Sequence, residues 1–397
     1  MLNIPNPDAY NAAGTHTGHN NSGHASQETK QDKLNRLLDT RNKIAEAMKT
    51  NITFSHPILK QNDKAVFYPK TINVIQGKAG VHKSRLAETI CSALLSGPGN
   101  SKDLLGFKKD PLTRYVVVYV DTERNLSEQL PYALQQIKLK AGYQIEETIS
   151  DFDWVSLLEF DRESRFEMLD IFLEYVREEY NIHIFIVLDV ITDCVFNFND
   201  TKDSMKLIDM MNKSINRFDV TFLCLIHENP GNTDKARGHL GTEILNKAST
   251  VIQISFEKDK DQHAMELIKI SYLKCRNSKK HDPFYVQYAE EQKGLVIADT
   301  GTIKEVMDRK KFKADYEAII EYLTEFLKEP ATKRDLHDSL KDALNCSERT
   351  LEDRLKEIIE EKKTVYNTEG IVCNLQKTIE NRKVMYFLHP VISETPF

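Results

Sequence analysis

The stretch QGKAGVHKSR, Gln76 to Arg85, holds Gly77, Lys83 and Ser84 at the spacing of the loop G-x-x-x-x-G-K-[ST], with His82 where the second glycine is usual. That spacing serves phosphate chemistry. Successive backbone N–H groups wrap the phosphates, the lysine reaches the β and γ phosphates, and the hydroxyl ligates Mg2+. Gly77, Lys78, Ala79, Gly80, Val81, His82, Lys83, Ser84 and Arg85 are therefore the expected cradle for ATP, with Ser84 as a ligand of Mg2+. His82 still offers its N–H; what it puts at risk is steric room and backbone freedom, and Gly80 nearby keeps some slack. Strand-like TINVIQ precedes the loop and helical SRLAETICSALL follows it. The loop reads as a functional variant.

Two acids extend the set. IFIVLD ends on Asp189, the position from which P-loop enzymes hold Mg2+ through water, although a strand-terminal Asp is weakly specific by itself. YVVVYVDTE puts Glu123 at the end of another strand, on the side where such sheets bind ligands. A carboxylate there orients and deprotonates the attacking water, typically worth about 10²–10⁴-fold. A helix-capping acid is the other reading of Glu123.

These side chains need a scaffold, and residues 60–300 supply its pattern. Short runs (TINVIQ, YVVVYV, WVSLL, IFIVLD, VTFLCLI, TVIQIS, ELIKISYL) alternate with helical periods. Near-continuous Val and Ile strands with helices between them predict an α/β fold, a parallel sheet covered on both faces. Ser164 to Glu167 (SRFE) predicts a capping box opening the helix before IFIVLD. Residues 1–30, rich in Asn, Gly, His, Ser and Thr, predict a disordered tail; His16, His19 and His24 within it read as solvated side chains or as a metal cluster. LNRLLDTRNKIAEAM (34–48) places Leu34, Leu37, Leu38, Ile44 and Met48 near one helical face, which docks either on its own domain or on a neighbouring subunit. The expected segments are a tail over 1–30, a helix and linker over 31–60, a nucleotide domain over 61–298, a linker over 299–312 and a small α+β domain over 313–397. In that last segment three helical patterns and two strand-like runs, GIVCNLQ and KVMYFLH, follow the winged-helix order.

Composition narrows the class. The 397 residues are 40% hydrophobic and 29% charged, enough for a sizeable core. No apolar run approaches the ~20 residues that span a bilayer, and no secretory signal is visible, so no membrane partner is expected. Six cysteines without a CxxC pair argue against disulfide or metal frameworks and fit a cytoplasmic protein. The formal charge of −6 excludes a generally basic nucleic-acid binder but leaves room for a local basic channel.

The order of these motifs, with LIHENPG as a strand ending in a polar residue, resembles the RecA-like ATPase core over about 65–290. It is similar, more narrowly, to the RepA/DnaB-type hexameric helicases of plasmids and mobilisable elements. The resemblance implies that Glu123 is the catalytic glutamate, that His227 senses the γ-phosphate, and that ATP and Mg2+ are the cofactors. Those helicases carry a Lys-x-Arg pair reaching the neighbouring subunit's nucleotide. Here KCRN supplies Lys274 and Arg276, a trans-acting pair under the resemblance and a basic surface turn without it. In RecA-like rings the segment after the sensor strand, here ENPGNTDKARGHLGTEILNKAS, grips single-stranded DNA. Lys235, Arg237 and His239 are its expected donors, with Gly231, Gly238 and Gly241 expected to make it flexible; an ordinary mobile loop is the alternative. The departure from the family is His82, and the shorter architecture is closer to RepA than to DnaB.

The C-terminal segment 313–397 has 13 Lys and Arg against 17 Asp and Glu, and its candidate recognition helix CSERTLEDRLKEIIEEKK interleaves Arg349, Arg354 and Lys356 with Glu352, Asp353 and Glu357, less basic than a duplex-reading helix usually is. A protein partner and a duplex-DNA partner both stand. The expected function is an ATP-driven, DNA-acting motor, helicase or helicase-like, working as a homo-oligomeric, hexameric ring on a mobile genetic element. The alternative is a non-translocating, ATP-dependent DNA-binding regulator.

Overall fold

A computed structural model describes residues 29–97, 99–230, 235–258, 264–311, 314–344, 346–380 and 382–391. The expected tail up to residue 28, with His16, His19 and His24, and Gly231 of the expected DNA loop lie outside them. The chain divides into a unit over 1–54 and a unit over 55–397. The first contains α1 (Lys30–Ala47), opened by a capping box in which Thr29 and Asp32 each accept the other's backbone N–H. None of its residues is buried.

In the second unit β1 (Leu59–Gln61) and β2 (Lys64–Phe67) lead to β3 (Ile72–Gly77), α2 (Lys83–Leu95), β4 (Phe107–Lys109) and β5 (Tyr115–Asp121). Then come α3 (Gln129–Lys140), β6 (Phe152–Ser156), α4 (Arg162–Glu179) and β7 (His183–Asp189). A 3-10 turn at Ile191–Cys194 precedes α5 (Thr201–Arg217), β8 (Val220–His227), α6 (Gly238–Lys247) and β9 (Thr250–Lys258). The chain continues through β10 (Ala264–Cys275), β11 (Phe284–Ala289), β12 (Gly294–Ile297) and α7 (Thr300–Lys311). It ends with α8 (Tyr316–Phe326), β13 (Ala331–Thr332), α9 (Lys333–Leu344), α10 (Glu348–Glu360), β14 (Thr364–Tyr366), β15 (Val372–Glu380) and β16 (Lys383–Pro390).

Among the described residues, nine strands form one sheet in the order β12-β11-β10-β9-β3-β8-β7-β5-β6. From β9 to β6 neighbouring strands are parallel, and β10, β11 and β12 add an antiparallel margin. This is the α/β architecture expected, a mostly parallel sheet with helices between its strands, and the reason is visible in β5. Val116, Val118 and Val120 enter one core with Leu169, Leu173 and Leu207, while Val117 and Tyr119 enter the other with Leu86, Ile90 and Ile137. A strand buried on both faces has to be apolar at every position. Each such side chain contributes about 1.5–3 kcal/mol on leaving water.

Several local expectations differ from what forms. The cap of α4 is Asp161 rather than Ser164, whose hydroxyl donates back to the Asp161 carbonyl from inside the first turn. Residues 300–311, expected within a linker, are helical because Ile303 and Val306 pack with Leu267 and Ala298. The strands β1, β2 and β4 form a separate small antiparallel sheet. At the C-terminus, α8, α9 and α10 share a core of Ile319, Leu323, Leu336, Leu340, Leu351, Leu355 and Ile358. They pack with a four-stranded antiparallel sheet ordered β13-β16-β15-β14, giving the small α+β domain.

Candidate nucleotide site

Strand register assembles the candidate site. Gly77 pairs with His227 across β3 and β8, and Asp121 pairs with Asp189 across β5 and β7. The carboxyl ends of four neighbouring strands thus present Gly77, His227, Asp189 and the turn holding Glu123 along one rim, where open α/β sheets bind ligands. Gly77 has no room for a side chain: a Cβ there would lie 2.4 Å from the Ile254 carbonyl oxygen. The turn after β5 is shaped by Asp121, whose Oδ1 accepts the N–H groups of Glu123 and Arg124 at 3.1 and 2.8 Å.

Lys83, the first residue of α2, folds its ammonium back over the loop. It donates to the carbonyls of Gly77 and Lys78 at 3.0 and 2.8 Å and lies 3.1 Å from Nδ1 of His227. Burial lowers its pKa to about 8, against the pull of Asp189, Glu123 and Glu228. An ammonium has no acceptor, so His227 Nδ1 accepts and its proton sits on Nε2. That Nε2 stands 3.9 Å from Glu123 Oε1, and the imidazole holds the Glu123 carboxyl below its usual range. Lys83, His227 and Glu123 therefore form one chain of contacts.

Ser84 Oγ donates to Asp189 Oδ1 at 3.1 Å. A hydroxyl beside a carboxylate oxygen is a hard, all-oxygen donor pair, and it fits Mg2+. The other oxygen, Oδ2, accepts from the Tyr119 hydroxyl at 2.7 Å and pairs with Arg124 at 3.1 Å. Thr122 braces the same strand end, its hydroxyl accepting the Val190 N–H at 2.9 Å.

Sequence reasoning passed over Arg124 and Glu88. Arg124 bridges Asp121, Asp189 and Glu88, and Glu88 also takes Arg85 at 2.8 Å. Burial pushes the Glu88 carboxyl up, and the two guanidinium groups pull it down. Arg85, expected in the phosphate cradle, is thus engaged with its own helix and lies over the Tyr132 ring. A cation directly after DTE and an acid three residues after Arg85 were the available signals.

His82 adopts φ 63° and ψ 30°, the left-handed region that glycine tolerates best. Its ring stacks on Tyr288 of β11, with centroids 5.0 Å apart and planes 9° apart, and meets Phe256 of β9 edge-on at 6.0 Å. Burial, then Arg85, lowers its pKa. The strain of a non-glycine residue there, about 1–3 kcal/mol, is offset in part by stacking worth about 0.5–1.5 kcal/mol.

Lys274 and Arg276 stand apart from this rim. Lys274 pairs with Val251, and Thr250 pairs with Asn73; this register puts them about four strand residues, roughly 13 Å, back from the loop. Lys274 donates to the carbonyls of Leu245 and Asn246 at 2.7 and 3.0 Å, and Arg276 to Asn246 at 2.6 Å. Both finish the C-terminus of α6.

Lys235 and Arg237 are exposed, and His239 is half-buried on the first turn of α6. The Arg237 N–H donates to the His227 carbonyl at 2.7 Å, and its guanidinium lies 4.8 Å over the Phe198 ring. Gly238 and Gly241 are not there for flexibility. Gly238 has φ +71°, and a Cβ on it would meet Phe198 at 2.7 Å; one on Gly241 would meet Ala236 at 2.6 Å.

No protein-family model and no curated protein matches the sequence. Among solved structures, the chain is similar to the RadB recombinase at 14% identity, covering 58% of this chain and 92% of that one with a TM-score of 0.39. It is also similar to the flagellar accessory protein FlaH from Methanocaldococcus jannaschii, at 14% identity, covering 58% of this chain and 91% of that one with a TM-score of 0.40.

Proposed function

We propose that this protein is an ATP-hydrolysing, DNA-acting motor of the RecA-like type, helicase or helicase-like, serving replication or mobilisation of a genetic element. The observation that carries the reading is the cluster that joins Lys83 and Ser84, at the start of α2, to His227, Asp189 and Glu123 at the ends of β8, β7 and β5. Gly77 to Ser84 form the phosphate cradle, and Ser84 with Asp189 holds Mg2+. Mg2+ bound with ATP supplies charge neutralisation along the phosphates. Lys83 exchanges the carbonyls of Gly77 and Lys78 for phosphate oxygens. Glu123 orients a water and takes its proton on a carboxylate oxygen, while His227, touching both Lys83 and Glu123, reports the state of the phosphates. Lys274 and Arg276, too far back to serve their own loop, act on a neighbour's nucleotide in a homo-oligomeric, hexameric ring. Lys235, Arg237 and His239 contact single-stranded DNA.

A second reading, an ATP-dependent DNA-binding regulator that does not translocate, draws on the C-terminal domain. Its three helices and antiparallel strands follow the winged-helix order, suited to a duplex-DNA or protein partner.

Glu123→Gln tests the core of the proposal. It keeps size and hydrogen bonding but cannot take a proton, so ATP binds while turnover falls about 10²–10⁴-fold. Lys83→Ala loses the loop's mobile cation and with it turnover. Wild-type hydrolysis by Glu123→Gln removes that residue from the mechanism.

A further inference from the structure

The C-terminal domain carries a second cluster of ligating side chains. His337 lies on α9, and Glu348 and Glu352 lie one turn apart on α10, so both acids share a helix face. One ring nitrogen and one oxygen from each carboxylate lie within 4.8 Å of one another, with His337 Nδ1 4.0 Å from Glu348 Oε1. The histidine is 2% exposed, yet neither of its ring nitrogens has a hydrogen-bond partner among the described residues. Leaving buried polar atoms unpaired costs about 1–3 kcal/mol each. His337 and Glu348 line a cleft of about 790 Å³ whose wall also includes Lys333, Asp338 and Lys383.

We propose that His337, Glu348 and Glu352 bind a borderline divalent cation of the Zn2+ class, which ties α9 to α10. One imidazole nitrogen with two carboxylate oxygens is a donor set suited to Zn2+, whereas Ca2+ and Mg2+ favour oxygen alone. Three protein ligands leave a further position for water from the cleft. Both glutamates are exposed, so a rotamer change brings their oxygens to the ligand distance of about 2.0–2.2 Å. Lys333 donates to Glu352 and competes for that carboxylate, but it is 42% exposed and leaves readily.

The test measures Zn2+ binding to the full chain by equilibrium dialysis, and Co2+ binding by visible absorption. His16, His19 and His24 are changed to Asn in every sample, so that the tail adds no site. The unmodified cluster binds one equivalent more than the Glu348→Gln, Glu352→Gln double variant, whose changes are at exposed positions and spare the fold. His337→Ala loses the same equivalent together with its Co2+ bands, and Lys333→Ala binds Zn2+ severalfold more tightly. Equal stoichiometry and affinity in the parent and the double variant overturn the proposal, as does unchanged or weaker binding by Lys333→Ala.

Discussion

At the scale of single residues, His82 decides how this loop differs from its glycine-bearing counterparts. Its backbone occupies a left-handed conformation while its ring is held by Tyr288 and Phe256. His82→Gly removes strain and stacking together and adds chain entropy to the unfolded state. The expected outcome is a stability change within about 1 kcal/mol and ATP turnover that is intact or raised, checked by thermal melts beside a steady-state assay. Abolished turnover in a folded variant makes the imidazole a chemical participant.

At the scale of elements, β8 ties the rim to α6. Arg237 hydrogen-bonds the His227 carbonyl through its own N–H, so the end of β8 and the start of the helix are tied together. Under the proposed function, Arg237→Ala weakens single-stranded DNA binding with little sequence dependence. It flattens the salt dependence by ~0.7 log unit per log unit of salt for each phosphate that the variant no longer neutralises. Titrations at several salt concentrations, with ATPase measured with and without oligonucleotide, check this. Unchanged affinity and slope place DNA elsewhere, with the C-terminal domain next. The other end of α6 meets Arg276. Charge at a helix C-terminus is worth about 0.3–1 kcal/mol, so Arg276→Ala remains folded. A trans-acting arginine is worth about 10³–10⁵ in rate; if Arg276 acts as proposed, the variant binds ATP but loses hydrolysis. Mixed with Lys83→Ala protein it regains activity at hybrid interfaces where an intact loop meets an intact finger. Demonstrated subunit mixing without rescue rules out action in trans.

For the whole molecule, α1 carries an exposed apolar face. Leu34, Leu37, Leu38, Ile44 and Met48 are all exposed, an apolar stripe of the kind that packs against another surface. With a ring as the proposed assembly, Leu37→Asp and Leu38→Asp together reduce oligomer formation in the presence of nucleotide. Electron micrographs and light scattering read the result, and rings formed as readily by the double variant remove α1 from the assembly interface. Among the described residues no helix is long and apolar enough to cross a membrane.

The sequence by itself determined what depends on a few consecutive residues. The loop from Gly77 to Ser84 is legible because phosphate binding needs a strand, a turn and a helix in direct succession. Asp189 and Glu123 are legible as strand-end acids because doubly buried strands must be apolar until they reach the rim. The α/β class follows from the same runs. Tertiary structure alone decided what depends on register between distant strands. It joined His82 to Tyr288, brought Glu228 to Gln76 and Gln253, and set Lys274 and Arg276 at the back of the sheet. Arg124 looks like a surface charge until β7 and α2 bring Asp189 and Glu88 against it. Gly238 and Gly241 read as slack in the sequence and are close-packing positions in the fold, since only three-dimensional neighbours reveal that a Cβ has no room. The reason is common to all of these: a strand's apolar pattern records that both faces are buried, but not which strand lies beside it.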